Sequence, residues 1–448
     1  MRALARARPP GASSKCWIGR SSGSWACRKP SGIMPEPTGP LLRVWLLAMR
    51  ALPLVAPLIL RRRLAKGKEM PHRWREKLGE ATLPRPAGRL VWLHAVGLGE
   101  VLALRGLIAA MADCDPEVEF LVTSTTRASA EVLAANLPPR TRHQFLPLDA
   151  PRYLARFLDH WRPSLSIWAE QDLWPGAVVA TAAQGVPLAL VNARMNADAF
   201  ARRARWRQLY ADLFARFDLV GAQDAPTARH LAALGAVGVR VTGSLKSAAP
   251  PLSVDATRLT QVQRALKGRR PWVAASSHAE DEAVAFAAQV RLHAADPDWC
   301  LILVPRYPGR RGEILAAIPP GLPVSVDPDL PTGAVHLADG FGQLGLWYRL
   351  APVALMGGTF GLIEGHNPWE PAALGAAVLH GPRVANFAQD YESLDGAGAA
   401  RAVSVETLAK ELQALNPAMG AKGRTMAESA RAGLAPLAAE LLALGGSA

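Results

Sequence analysis

Along this chain, short and nearly continuous apolar runs alternate with stretches in which apolar residues recur every three or four positions. The first run, LVWLHAV (90–96), stops at Gly97, and the helically spaced EVLALRGLIAAM follows. Apolar runs bounded by turn residues predict strands buried on both faces, and their alternation with helices predicts parallel sheets. The pattern continues through EFLVTSTT (119–126), HQFLPLD (143–149), SLSIWAE (164–170), VPLALVNAR (186–194), LVGAQD and VGVRVTGSLK (237–246). The Pro-rich interval AAPPLSVD (248–255) interrupts it and reads as a linker. The rhythm restarts with RPWVAASSH (270–278), WCLILVPR (299–306), AVHLAD (334–339), VALMGG (353–358) and AAVLHG (376–381). Two such series predict an α/β protein of two Rossmann-like, doubly wound halves. Their chemistry is expected beyond the carboxyl ends of the strands, in a cleft between the halves.

Ahead of this rhythm the pattern differs. Residues 1–40 are rich in Arg, Ser, Gly and Pro without periodicity and are expected to form a disordered extension. LLRVWLLAMRALPLVAPLIL (41–60) is long enough for one membrane span, which needs about 20 apolar residues. Arg43 and Arg50 nevertheless share a helical face, and Pro53 and Pro57 would bend the helix, so an interfacial or tilted anchor competes with a full span. The basic run RRRLAKGK then predicts that the body lies on the cytoplasmic side. The expected division is an extension to residue 40, an anchor with basic flank at 41–66, a first domain at 67–247, a linker at 248–256 and a second domain at 257–448.

Composition narrows the partners. The formal net charge of +14 favours an anionic one: a membrane surface, a nucleic acid or a phosphorylated substrate. No basic stripe interleaved with stacking aromatics and no zinc-finger or RNA-binding signature is present, so no nucleic-acid partner is expected. None of Cys16, Cys27, Cys114 and Cys300 makes a CxxC pair, which argues against zinc and against a disulfide framework. The acids of DCD (113–115) and of DPD at 296–298 and 327–329 are scattered through turns, and no metal site is expected.

Polar groups sit where the strands end. Glu100 opens a helix after the turn GLGE; it can serve as a general base or merely complement the helix dipole. Glu170 and Asp172 leave the fourth run and can orient an acceptor or form a solvated turn. Lys246 either reaches the cleft to meet a leaving phosphate or is an ordinary exposed lysine. Ser276 and Ser277 can donate to a phosphate or cap a helix, and Arg306 can fork onto a phosphate or nucleotide. Gly340, Gly342 and Gly345 have GxGxxG spacing, a weak dinucleotide signal that suits a helix start receiving one phosphate better. EGHNPWEPAALG is the densest polar loop; Asn367 can bind a base or ribose and Glu370 can accept from ribose hydroxyls.

With GHNPWEPAALG, the stretches HAVGLGE, AEQDLWP, NAR, VTGSLK, SSH, LVPR and GQLGLWY make the chain resemble the 3-deoxy-D-manno-octulosonic acid (Kdo) transferases from about Arg62 to Gly398. The resemblance implies the GT-B architecture and an N-terminal membrane-anchoring helix. It implies inverting, metal-independent transfer of Kdo from CMP-Kdo to the lipid A precursor at the cytoplasmic face of the inner membrane, with no cofactor beyond that donor. It implies Glu100 as the proton acceptor and Glu170 and Lys246 as groups that stabilise the transition state. Pro305, Arg306, Phe341, Gly342, Gln343, Asn367, Pro368, Trp369 and Glu370 are implied to bind CMP. The chain departs from the family pattern at Gly97 (usually Ser), Asp172 (Glu), Ser244 (Asn) and Tyr307 (His), and at Phe341–Gln343 (Met-Gly-Glu). The competing expectations are a NAD-dependent oxidoreductase using the glycine motif, another nucleotide-sugar-dependent GT-B transferase, and a non-catalytic membrane-docking protein.

Overall fold

A computed structural model describes residues 38–446 except Gln171 and Phe341, so most of the expected N-terminal extension lies outside the described residues. The first half builds a seven-stranded sheet from β1 (Leu90–His94), β2 (Glu119–Ser124), β3 (Thr141–Phe145), β4 (Leu165–Ala169), β5 (Leu188–Ala193), β6 (Leu219–Ala222) and β7 (Arg240–Val241). The second builds another from β8 (Arg270–Ser277), β9 (Trp299–Pro305), β10 (Val324–Val326), β11 (Val335–Leu337), β12 (Val353–Met356), β13 (Ala377–His380) and β14 (Ala400–Ala402). Spatial orders are β3-β2-β1-β4-β5-β6-β7 and β10-β11-β9-β8-β12-β13-β14. The ladders that pin β1 and β8 between their neighbours are parallel. Strand order therefore reverses at β1/β4 and at β8/β12, the two places where a doubly wound sheet opens a crevice.

Burial explains the strand composition. All of β1, β4 and β5 is buried, because helices cover both faces. One face of the first sheet packs Val91, Leu93 and Ile167 against Leu104, Leu107 and Met111, and the other packs Trp92, Trp168 and Leu190 against Phe157 and Trp161. The buried indoles keep hydrogen-bond partners: Trp92 donates to Thr123, Trp161 to Gln144 and Trp168 to Ser166.

Several elements differ from the sequence pattern. The run 237–246 contributes only two paired residues; Gly238 and Gly243, at φ +66° and +79°, bend the chain on either side. That bend releases Ser244–Lys246 from the sheet. Strands β10 and β14 are three residues long and were too short to give a periodic signal. The expectation assigned 257–448 to the second half, yet the last helix, Leu434–Leu444, returns to the first. Its Leu434, Leu437, Leu441 and Leu442 join the core beside Leu104 and Leu107, and Arg240 pairs with Glu440 at 2.8 Å.

The apolar segment near the N-terminus is two helices, Pro40–Met49 and Leu52–Ala65, bent by 58° at the break. Among the described residues no single helix is long and apolar enough to cross a membrane. Both helices dock on the first half. Leu42 enters its core, Ala56 and Leu60 pack with Leu78 and Tyr153, and the Trp45 indole donates to Asp149 at 2.9 Å. The opposite side exposes Val44, Leu47, Leu54, Val55, Leu58 and Ile59. Within the basic flank Arg63 pairs with buried Glu69, which Lys77 also holds at 2.6 Å.

Candidate active site

The first crevice assembles three ionisable groups from separate elements. Glu100 lies in the first turn of helix Leu98–Cys114, and its Oε2 accepts from the backbone N–H groups of Val96 (3.1 Å) and Gly97 (3.0 Å). A helix N-terminus stabilises negative charge there. Gly97 permits the fold-back: a Cβ at that position would crowd Glu100 Oε1 at 3.1 Å. Glu170 follows β4 in the left-handed region, at φ +62°, with its N–H donated to Val191. That conformation costs a non-glycine residue on the order of 1 kcal/mol or more and marks a side chain whose direction matters.

Glu100 is close enough to act on the Glu170 carboxyl, and Lys246 Nζ stands 3.2 Å from Glu170 Oε1. Lys246 is placed by the chain released from β7. The Leu245 N–H donates to Asn192 Oδ1 at 2.8 Å, and Asn192 itself is left-handed at the end of β5. Burial pushes the Glu170 carboxyl up to about 7; Lys246 opposes the rise and Glu100 adds to it. Two carboxyls in contact hold one proton between them more readily than two negative charges. Near neutral pH the cluster is thus two interacting carboxyls beside a cation. Asp172 is also pushed up, by burial and then by Glu100, with Arg203 opposing.

The second crevice is built differently. Asp281, on helix Ala279–Ala295, spends its carboxylate on backbone: it accepts from the N–H groups of His278, Gly358, Thr359 and Phe360. This ties the turn after β8 to the turn after β12. Gly357 is required there, since a Cβ would collide with the Ser276 carbonyl oxygen. Arg306 leaves β9 with its N–H donated to Ser277 O at 3.0 Å, next to buried Pro305. In the polar loop, Asn367 Oδ1 accepts from the Trp369 N–H at 3.1 Å. Burial pushes Glu370 up to about 7 against the pull of Asn367 and of Arg306. The Trp369 indole donates to Asp390 Oδ1 at 2.7 Å, with Pro368 buried beside it.

The two crevices meet. Lys246 Nζ lies 5.2 Å from the Phe387 ring centroid, and its charge and that of Arg194 both act on Asp390. Arg194, from the first half, donates to the carbonyls of Asn386 (2.8 Å) and Ala385 (3.4 Å) in the second. Charges therefore act from one crevice to the other: Glu100 and Lys246 act on Glu170, Lys246 acts on Asp390, which holds the Trp369 indole, and Arg306 acts on Glu370.

Among the expected binding residues, Gly342 is left-handed (φ +78°) with open space around it, and Phe341 lies outside the described residues. Gln343 is otherwise engaged: its Oε1 accepts from the Trp347 indole at 3.2 Å, and its side chain packs on Gly340. Gly345 of the same motif presses on the linker at Leu252 and Ser253, a packing reason for that glycine. Sequence reasoning gave no role to Arg194, Asp281, Asp390, His278 or His366. The only available signal was the helix-capping position of Asp281, three residues after His278. Among the described residues no group of three or more His, Cys, Asp or Glu side chains gathers as a metal would require.

The family model for 3-deoxy-D-manno-octulosonic-acid transferase (kdotransferase) matches residues 72–249. A 3-deoxy-D-manno-octulosonic acid transferase of Bordetella pertussis is 35% identical over 371 residues, covering 79% of this chain and 85% of the relative. Another, from Rickettsia bellii, is 32% identical over 325 residues, covering 71% and 77%. Among solved structures, UDP-GlcNAc 2-epimerase from Neisseria meningitidis bound to UDP-GlcNAc superposes with a TM-score of 0.53 over 80% of this chain and 99% of that one. At 13% identity this is a likeness of fold.

Proposed function

This chain belongs to the 3-deoxy-D-manno-octulosonic acid (Kdo) transferase family, and from that premise we propose that it moves Kdo from CMP-Kdo onto a lipid A precursor at a membrane surface. Family membership makes it a glycosyltransferase of lipopolysaccharide biosynthesis and rules out the oxidoreductase and the non-catalytic docking protein as its primary role.

The proposed reaction is a direct displacement. An acceptor hydroxyl oxygen forms a bond to the anomeric carbon of Kdo while the bond from that carbon to the CMP phosphate oxygen breaks. The hydroxyl proton passes to Glu100, and CMP leaves with the bonding electron pair, inverting the anomeric centre. Lys246 and Arg306 offset the charge gathering on the phosphate, and Glu170 keeps Lys246 and Glu100 in register. Asn367 and Glu370 take the cytidine, with Pro305, Pro368 and Trp369 shaping its bed. No step needs a bound metal. The observation that supports this reading is Lys246, which pairs with Glu170 in the first half and lies 5.2 Å from the Phe387 ring of the second.

The acceptor is a lipid, and the docked N-terminal helices suit it. Their outer side is apolar, with Leu54 83% and Val44 65% exposed, and Arg43, Arg50, Arg61 and Arg62 flank it. A bent, protein-docked pair with such a face lies in the headgroup region rather than spanning the bilayer. It would hold the first half against the anionic cytoplasmic leaflet. Purified protein incubated with CMP-Kdo and lipid A precursor should yield acceptor heavier by Kdo on mass spectrometry, and unmodified acceptor with intact donor would refute the activity. Leu54→Asp with Leu58→Asp should release the protein from anionic vesicles without reducing CMP affinity.

A further inference from the structure

Beside Arg306 the second crevice holds two histidines that the transfer scheme leaves unused. His278 caps helix Ala279–Ala295, and His366 sits in the turn after β12. Their Nε2 atoms are 3.0 Å apart, and the rings stack with centroids 5.2 Å apart and planes 13° apart. Neither Nδ1 has a hydrogen-bond partner among the described residues, and both side chains are half-buried.

An Nε2-to-Nε2 contact at this distance needs a proton between the rings. In the neutral pair one ring donates and the other accepts, so only one outward Nδ1 carries a hydrogen. Adding one proton leaves the shared bond intact and turns both outward Nδ1 atoms into N–H donors around one positive charge. The surroundings withhold that proton: burial, then His278, then Arg306 bring His366 down to about 4, and burial also lowers His278.

Asp281, Glu280 and Glu282 pull the His278 value up but do not outweigh burial, and the first and last are already engaged. Asp281 is spent on four backbone N–H groups. Glu282 is held by both Arg310 guanidinium ends, at 2.8 and 2.9 Å, and by Ser277. Glu280 is exposed, with its carboxyl over Gly361. The remaining neighbours are the Tyr307 ring, edge-on to His278, and Tyr391, whose hydroxyl donates to the His366 carbonyl. The pair is a cation in waiting, with two free donors and no resident anion.

We propose that His278 and His366 form a proton-sharing anion subsite that grips the charged group on the anomeric carbon of the donor sugar. This rests on the transferase reading above. Kdo is a ketosugar acid, so two anions qualify: its carboxylate, and the phosphodiester that links it to cytidine. Either one, arriving beside Arg306, repays the cost of protonating the pair, and donor binding takes up a proton.

The test uses the full chain, His278→Asn and His366→Asn, with the KM for CMP-Kdo and the Kd for CMP measured from about pH 6 to about pH 8, the range in which imidazole titrates. Both variants should raise the donor KM by about tenfold at the acid end, equivalent to one hydrogen-bonded charge, and the variant-to-wild-type ratio should shrink as pH rises. CMP affinity within about twofold of wild type assigns the subsite to the sugar carboxylate, and a parallel loss of CMP affinity assigns it to the phosphate; a single charged hydrogen bond is large enough to tell these apart. Unchanged donor KM in both variants, or a ratio independent of pH, overturns the proposal. Should the variants not fold, imidazole nitrogen shifts of the wild type decide. Uptake of a proton by the pair on donor saturation supports the subsite, and constant protonation overturns it. Wild-type protein that transfers nothing from CMP-Kdo would instead refute the transferase reading.

Discussion

The two halves are built on the same plan and filled with different chemistry. Each is a seven-stranded parallel sheet whose order reverses beside its central strand, and each crowds polar groups at that reversal. In the first half these groups act on one another's protons and charge: Lys246 pairs with Glu170, Glu100 adds to the rise of its carboxyl, and burial brings that carboxyl up to about 7. In the second half they are mostly committed. Asp281 ties loops together, Asp390 fixes an indole, and Asn367 accepts from the Trp369 backbone. In the proposed reaction this contrast divides the labour, with one half acting on the acceptor and the other immobilising the donor.

That contrast can be broken by single substitutions. The largest of these effects is expected from Lys246→Ala, which removes the cation between the halves. By analogy with losing one oxyanion donor, kcat should fall about 10²- to 10³-fold, with a smaller change in donor KM. A change confined to KM would move Lys246 from the reacting half to the binding half.

Next is Glu170→Gln, which probes strain. The folded-state pKa of Glu170 is raised, so its ionised form costs stability that is absent below the unfolded value and grows as pH rises through about 7. The isosteric amide should therefore raise Tm by a few degrees at about pH 8 and by less at about pH 5, while slowing transfer. An equal shift at both values would show that burial does not hold the carboxyl protonated.

The smallest effect is expected from Glu370→Gln. It should raise donor KM by about tenfold, the worth of one hydrogen bond to a charged acceptor, and leave the rate at saturating donor near wild type. Loss of kcat instead would break the division of labour from the other side.

Much of this contrast was legible before any coordinates. Doubly buried strands announce themselves as apolar runs with polar residues just beyond them, but the approach of Glu100 to Glu170 depends on β1 lying next to β4, a strand order that the runs do not encode. Lys246 was legible as a strand-end lysine, although its release depends on Gly238 and Gly243 cutting β7 to two residues. What stayed hidden was long-range. The amphipathic stripe of Leu434–Leu444 says that the helix covers a core, not which half it covers. Nothing local tells that the Gln343 amide turns toward Trp347, or that Arg194 reaches the carbonyls of Ala385 and Asn386. Two histidines 88 positions apart carry no periodic signal of their contact.

The division of labour between the halves is tested most directly by measuring, on one preparation of Glu100→Ala, both the Kd for CMP and the single-turnover rate of Kdo transfer. Loss of the general base should slow transfer by about 10²- to 10⁴-fold while CMP binds within about twofold of wild type. Transfer at an undiminished rate, or CMP affinity lost in step with it, would contradict the assignment of proton abstraction to the first half and donor binding to the second.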